Sequence, residues 1–496
     1  MFQVSNTAAD RFATAIRYRV PMALVTVLLV GLATGVSAQC VPTPLSNLVP
    51  TSTDPDEALG SAIARWSSWI AVGRPHAGTD EQGGVVIFSF DGSRWSEDAA
   101  LVASASTSGS HYGSGLDLAG GWLAAGAPDT GNGGPGFVTL FRRVSGVWVE
   151  SQTLTAPDPQ PGDEFGAAVS VGATWLLVGA PGDDDAGTDR GAVHLFERVE
   201  EEWEWRSVFS ISAVDGGARL GAALDESSVV MLGAPGHGAG AGALVTAEIE
   251  LGNLVLDDLI TAPDPQPSDA FGSAVSGWGQ RVAVGAPGRN SDAGAVFMID
   301  LAPSSVTELS DPLGAPGDRF GHAVAQHFSR VVIGAPGYDA ERGRAFYSAL
   351  AGTWSSPSPI GSPGGDAGDA RGSAVEIDAL AFTVGSVGEG AGGAVARSEL
   401  DPSNCVPFVR GDANNDGAID IGDAITGLAW LFTGGAAPWC SDAFDVDDDG
   451  DHDIIDTVRI LEFLFDPGPS PLLLTGTCES DATMDTVGCA YDAVCP

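Results

Sequence analysis

Seven times a glycine stands just ahead of a short apolar run, at Gly60, Gly113, Gly166, Gly221, Gly272, Gly321 and Gly372, at intervals of 53, 53, 55, 51, 49 and 51 residues. So regular a period means that one structural unit recurs and stacks on its neighbours. The third copy spells the unit out. Phe165-Gly166-Ala167-Ala168-Val169 leads to Trp175–Val178 and Gly179-Ala180-Pro181; after a polar loop come Gly191-Ala192-Val193-His194-Leu195-Phe196 and a last run near Trp205 to Ile211. Four short apolar runs separated by turn residues read as four strands, and four strands of about 5–6 residues with their turns need ~40–50 residues. A β-helix coil would repeat at a shorter length, and a helical repeat would show 3.6-residue periodicity. Neither is present. The sequence predicts a mainly β fold, a seven-bladed β-propeller with four-stranded blades.

Residue types agree with that unit. Gly and Ala at the start of each copy let the inner strands crowd near an axis. The Pro of each Gly-Ala-Pro ends a strand, because it has no N–H for the next ladder bond. With 68 Gly and only 7% aromatic residues the chain suits tight packing of small side chains and many turns, and an apolar share of 44% excludes a mostly disordered chain.

Phe-Gly followed by Gly-Ala-Pro resembles the FG-GAP repeat of integrin α-chain propellers and of many bacterial extracellular proteins. The pairing is well kept at Phe165-Gly166 with Gly179-Ala180-Pro181, Phe271-Gly272 with Gly285-Ala286-Pro287, and Phe320-Gly321 with Gly334-Ala335-Pro336. It is degraded at Leu59-Gly60 with Gly73-Arg74-Pro75 and at Arg371-Gly372 with Gly385-Ser386-Val387. The resemblance implies a seven-bladed ring over roughly residues 45–400. Integrin-type blades often carry an Asp-rich calcium loop between the two motifs. Here that loop is short and neutral (Val171-Gly172-Ala173-Thr174; Ser276-Gly277-Trp278-Gly279), so those metal sites do not carry over. A different acidic cluster, Asp183, Asp184, Asp185 and Asp189, follows Gly-Ala-Pro in the third copy alone; it reads as a solvated turn or as a further calcium site.

The seventh copy lacks a fourth run. After Ala394-Val395-Ala396 the chain passes through Asp401-Pro402 into Cys405, whereas residues 45–50 form a spare run at the other end of the chain. An open edge is a liability, so residues 45–50 are expected to close the last blade. Cys40 and Cys405 flank that junction, and a disulfide between them would clasp it.

Beyond the repeats the composition changes abruptly. The chain carries 65 acidic residues against 22 basic ones, all Arg, for a formal net charge of −43. Residues 401–496 hold 17 Asp and 2 Glu against 2 Arg. Such a field repels nucleic acid and anionic membranes and attracts divalent cations. Two twelve-residue segments have the calcium-loop pattern, with oxygen ligands at positions 1, 3, 5, 9 and 12, a sharp-turn Gly at 6 and a backbone carbonyl at 7. The first uses Asp412, Asn414, Asp416, Ala418 (carbonyl), Asp420 and Asp423; the second uses Asp445, Asp447, Asp449, Asp451 (carbonyl), Asp453 and Asp456. Calcium is the expected cofactor, two ions in this module.

Each loop precedes a run with apolar residues on one helical face: Ile425, Leu428, Leu431 and Phe432, then Val458, Leu461, Leu464 and Phe465. Loop then helix, twice, resembles the dockerin module, which plugs cellulosomal enzymes into cohesin domains. His452 stands where the first loop has Ile419, and the pairs that contact cohesin in dockerins are here Ile421-Gly422 and Ile454-Ile455. The resemblance therefore implies calcium residue by residue without fixing the partner. Cys440, Cys478, Cys489 and Cys495 are an even set consistent with two disulfides of open connectivity.

Residues 1–38 read as an export signal: Arg11, Arg17 and Arg19, an apolar stretch from Met22 to Val36, then Val36-Ser37-Ala38 before Gln39. The expected organisation is a signal at 1–38, a propeller at 39–400, a linker at 401–408, a dockerin-like domain at 409–468 and a Cys-containing tail at 469–496. No catalytic constellation emerges. The seven His (His76, His111, His194, His237, His322, His327, His452) are scattered without helix-face metal spacing. Trp148, Trp203, Trp205 and Trp354 read as blade packing or as a glycan-stacking platform. The expectation is a secreted, non-catalytic binding or adhesion protein, with a protein (cohesin-like) or extracellular glycan partner and no membrane insertion once the signal is removed. The alternative is a component of extracellular polysaccharide degradation.

Overall fold

The computed structural model describes residues 46–51, 57–78, 80–227, 229–301, 304–351, 353–360, 367–378, 381–388, 393–399, 410–414, 419–433, 444, 446 and 454–465. The expected signal, linker and tail, and all six cysteines, lie outside the described residues.

Seven antiparallel sheets follow one another along the chain. The third is typical: Val169–Val171, Trp175–Ala180, Ala192–Val199 and Glu202–Phe209, paired in sequence order from the innermost strand outwards. The sixth blade differs. Its outer strand is broken into Thr353–Trp354 and Ser358–Pro359, because Pro357 and Pro359 cannot donate to a ladder. In the seventh, Arg371–Ile377, Ala381–Ser386 and Ala394–Glu399 are completed by Ser46–Leu48, which pairs antiparallel with the third strand, Ser46 opposite Arg397 and Leu48 opposite Val395. The first and last segments of the ring thus share one sheet. Asp378, buried at this junction, forms an ion pair with Arg65 of blade 1 at 3.0 Å and accepts a hydrogen bond from Arg397 at 2.9 Å.

The Phe-Gly motif works in two ways. Its aromatic ring is fully buried against the third strand of its own blade: Phe271 on Phe297 with ring centroids 5.4 Å apart, Phe320 on Phe346 at 5.2 Å. Its glycine N–H donates to the carbonyl of the Gly-Ala-Pro glycine in the same blade, as Gly166 does to Gly179 at 2.9 Å. The glycine carbonyl points the other way, into the preceding blade. A β-carbon on Gly179 would lie closer than 3.0 Å to the Gly221 carbonyl oxygen, and the same relation recurs around the ring. Small residues here are required by contact between blades, where the sequence reading placed the crowding at the axis.

Each junction is further tied by a parallel bridge between the loop leaving strand two and the segment entering the next blade, such as Gly83 with Tyr112 and Gly136 with Phe165. The residue two places ahead of each repeat glycine, from Ala58 (φ 55°) to Ala370 (φ 48°), is left-handed in all seven copies. The core consists of clusters bridging neighbouring blades: Trp122, Val138 and Leu140 of the second pack with Val169, Leu176 and Trp203 of the third. His194 belongs to that apolar interior, and burial lowers its imidazole to about 4, so it is a neutral core residue. Outer strands carry charge at their solvent-facing positions (Glu202, Glu204, Asp257, Asp258), which discourages edge pairing.

The C-terminal helices are Ile421–Thr433 and Ile454–Phe465. Ala424 and Ile460 meet with Ala413, Phe444 and Val446 in a small separate core, and Trp430 packs edge-on against Phe444 at 5.7 Å.

Candidate functional site

The inner strands place a ring of polar groups around the axis. The residue four places after the repeat glycine reaches the next blade. The Val171 N–H donates to Asp117 (2.6 Å), Glu226 N–H to Ser170 Oγ (3.2 Å), Gly277 N–H to Asp225 (2.9 Å), and Gln326 N–H to Ser276 Oγ (3.0 Å). Among the described residues, four junctions are thereby laced side chain to backbone. The same register brings in Glu376 from blade 7, whose charge feels Arg65, Asp117, Asp378 and Asp225.

Four carboxyls converge here, and burial, chiefly, resists their ionisation. Asp117 is pushed up to about 6, Asp225 and Glu226 to about 7, and Glu376 to about 8. Mutual repulsion adds to burial for the last three, while backbone donors moderate Asp117 and Asp225. Sequence reasoning missed this belt. Each acid looks ordinary in its own strand, and only closure of the ring sets them facing one another.

At the rim where first strands begin and second strands end, a cavity of about 320 Å³ opens between blades 6, 7 and 1. Arg319 and His322 line one side, Ser61 and Ser373 another. Burial, with help from Arg319, lowers His322, so a neutral imidazole sits beside a guanidinium. That arrangement offers hydrogen bonds and one positive charge on a strongly acidic protein.

Of the expected calcium ligands, Asp412, Asn414, Asp420, Asp423 and Asp456 are described; Asp416, Ala418, Asp445, Asp447, Asp449, Asp451 and Asp453 lie outside the described residues. Asp423 is fully buried and accepts the N–H of Asn414 (3.1 Å) and of Asp420 (2.8 Å), drawing both arms of the first loop onto one carboxylate. Asn414 and Asp420 converge above Gly422, where a β-carbon would meet both side chains. In the second loop Asp456, also buried, accepts Val446 N–H at 2.8 Å. An oxygen-rich set folded about a twelfth-position carboxylate fits a hard divalent cation.

In the third blade Asp183 is turned inward, accepts the Asp185 N–H at 3.1 Å, and is raised to about 6 by burial and by Asp163, Asp185 and Asp184. Trp148 and Trp203 are buried between blades, edge-on to Trp69 and Trp122, and so are packing residues; Trp205 is 42% exposed.

The family model described as FG-GAP repeat matches residues 148–196 and 257–299. Each window begins in the outer strand of one blade and ends in the third strand of the next, so the sequence repeat is out of phase with the blade. No curated protein matches the chain. The chain carries FG-GAP repeats on a seven-bladed propeller, a platform suited to ligand binding or adhesion and typically non-catalytic. Among the described residues no helix is long and apolar enough to cross a membrane.

Proposed function

We propose that the protein is a secreted calcium-binding interaction protein. The ring holds a partner through its loops, and the C-terminal module docks to a second partner when its two loops carry calcium. The observation that carries the reading is Asp423, buried at the twelfth position while clamping the N–H groups of Asn414 and Asp420. Asp412, Asn414, Asp416, Asp420, Asp423 and the Ala418 carbonyl would hold one ion; Asp445, Asp447, Asp449, Asp453, Asp456 and the Asp451 carbonyl would hold the other. Calcium would supply charge neutralisation that lets these carboxylates approach. The dockerin-like order of loop and helix supports a protein partner of the cohesin kind, and the ring rim with Arg319 and His322 supports an anionic or hydrogen-bonding ligand group there.

The test immobilises the full chain and passes the source's extracellular fraction over it in calcium. A partner that a chelator releases, and that the Asp416→Ala/Asp449→Ala variant fails to retain, supports the reading. Retention indifferent to calcium and to that variant contradicts the docking role.

A further inference from the structure

His76 and Glu81 stand on the polar loop of blade 1 and His111, 30 residues beyond Glu81, on the entry to blade 2, yet one ligand atom from each lies within 4.8 Å of the other two. The imidazole centroids of His76 and His111 are 5.3 Å apart with the rings inclined at 56°, and His111 Nε2 is 3.2 Å from Glu81 Oε2. We propose that these three residues form a binding site for a borderline transition-metal ion of the zinc class, on the ring face where second strands end and new blades begin.

The backbone fixes the spacing. Gly109 N–H donates to the Asp80 carbonyl (2.7 Å), His111 N–H to the Glu81 carbonyl (3.3 Å) and Tyr112 N–H to the Gln82 carbonyl (3.1 Å), so the two loops are zipped together at Glu81 and His111, while His76 N–H donates to the Glu57 carbonyl (3.2 Å). This zip is the ordinary blade junction of the ring. What is particular to the first junction is the side chains. At the position of His111 the other copies have Ala58, Glu164, Arg219, Ala270, Arg319 and Ala370. None of these is an imidazole.

The donor set chooses the metal. Two imidazoles and one carboxylate favour zinc, copper or nickel over calcium, which prefers oxygen alone. Tetrahedral zinc with bonds of about 2.0–2.1 Å needs donors roughly 3.3 Å apart, a distance that small side-chain rotations reach from the observed spread. Thr130 provides the outer contact: its Oγ1 is 2.8 Å from His111 Nδ1. A proton held on Nδ1 by that hydroxyl leaves the Nε2 lone pair directed at Glu81 and the proposed ion. His76 and Glu81 are exposed, so the remaining coordination position faces solvent, open to water or to a donor from a bound partner. The site is independent of the calcium reading.

The test is zinc titration of the full-length protein with calcium saturating, so that the acidic C-terminal loops are blocked, read by calorimetry and by the visible bands of cobalt(II) as a substitute. One equivalent is expected, with affinity lowered at least tenfold by His76→Ala or His111→Ala and lowered less by Thr130→Val. Glu81→Gln, at an exposed position, carries the same expectation should a His variant fold poorly. No equivalent of uptake in the natural protein, or an isotherm unchanged in His76→Ala/His111→Ala or in Glu81→Gln, overturns the assignment.

Discussion

Gly385 of the last blade faces the carbonyl oxygen of Gly60 of the first so closely that a β-carbon on Gly385 would lie under 3.0 Å from it. The relation is the one between Gly179 and Gly221 in the middle of the chain. The closing junction is therefore built on the same contact as the internal ones.

That contact predicts a severe effect from a single methyl group. Gly179→Ala drives a β-carbon into backbone of the neighbouring blade, which cannot rotate away, and is expected to cost about 3 kcal/mol or more. Gly146→Ala, with nothing within 4 Å of a new β-carbon but a φ of 86°, is expected to cost about 1 kcal/mol. Urea unfolding of the two variants checks the order; equal effects would contradict the packing argument.

Closure by Ser46–Leu48 predicts that a residue far from the rest of blade 7 in sequence holds it together. Leu48 is buried with Leu59, Ile63, Val72 and Val395. Leu48→Ala is expected to lower stability by about 2–4 kcal/mol, and Val49→Ala, 70% exposed, by less than about 0.5 kcal/mol. The comparison is made by denaturant unfolding with calcium held constant.

The axial carboxyls predict the direction of the pH dependence. Asp117, Asp225, Glu226 and Glu376 are raised in the folded ring to about 6, 7, 7 and 8. Between the ordinary carboxylate range and those values the folded state binds more protons than the unfolded chain, so stability falls as pH rises. Their contribution is complete in mild acid below about pH 4–5 and is lost by the time pH passes 8. Glu376→Gln should match the natural protein near pH 5, exceed it in melting temperature at pH 8, and flatten the slope between. A variant that melts lower at pH 8 would show that Glu376 is ionised and satisfied.

The blades were legible because the repeat is written in backbone necessity. A glycine against a neighbour's carbonyl, a buried aromatic beside it and a proline at a strand end leave marks that recur with the period. The open seventh blade was legible for the same reason, since a missing fourth run is conspicuous among seven copies. Residues that meet through closure left no such mark. Asp117, Asp225 and Glu376 stand on three different blades, and His76 and His111 are held together by an inter-blade bridge between loops, so no local spacing announced either group. The proposed calcium loops rest on ligand spacing within twelve residues, a local pattern by nature.

The measurement that bears most directly on the proposed function is calcium calorimetry on the full-length protein. Two equivalents are expected, both abolished in the Asp416→Ala/Asp449→Ala variant, with calcium raising the thermal stability of the natural protein and not of the variant. No calcium uptake by the natural protein, or uptake that the two substitutions leave unchanged, would contradict the account.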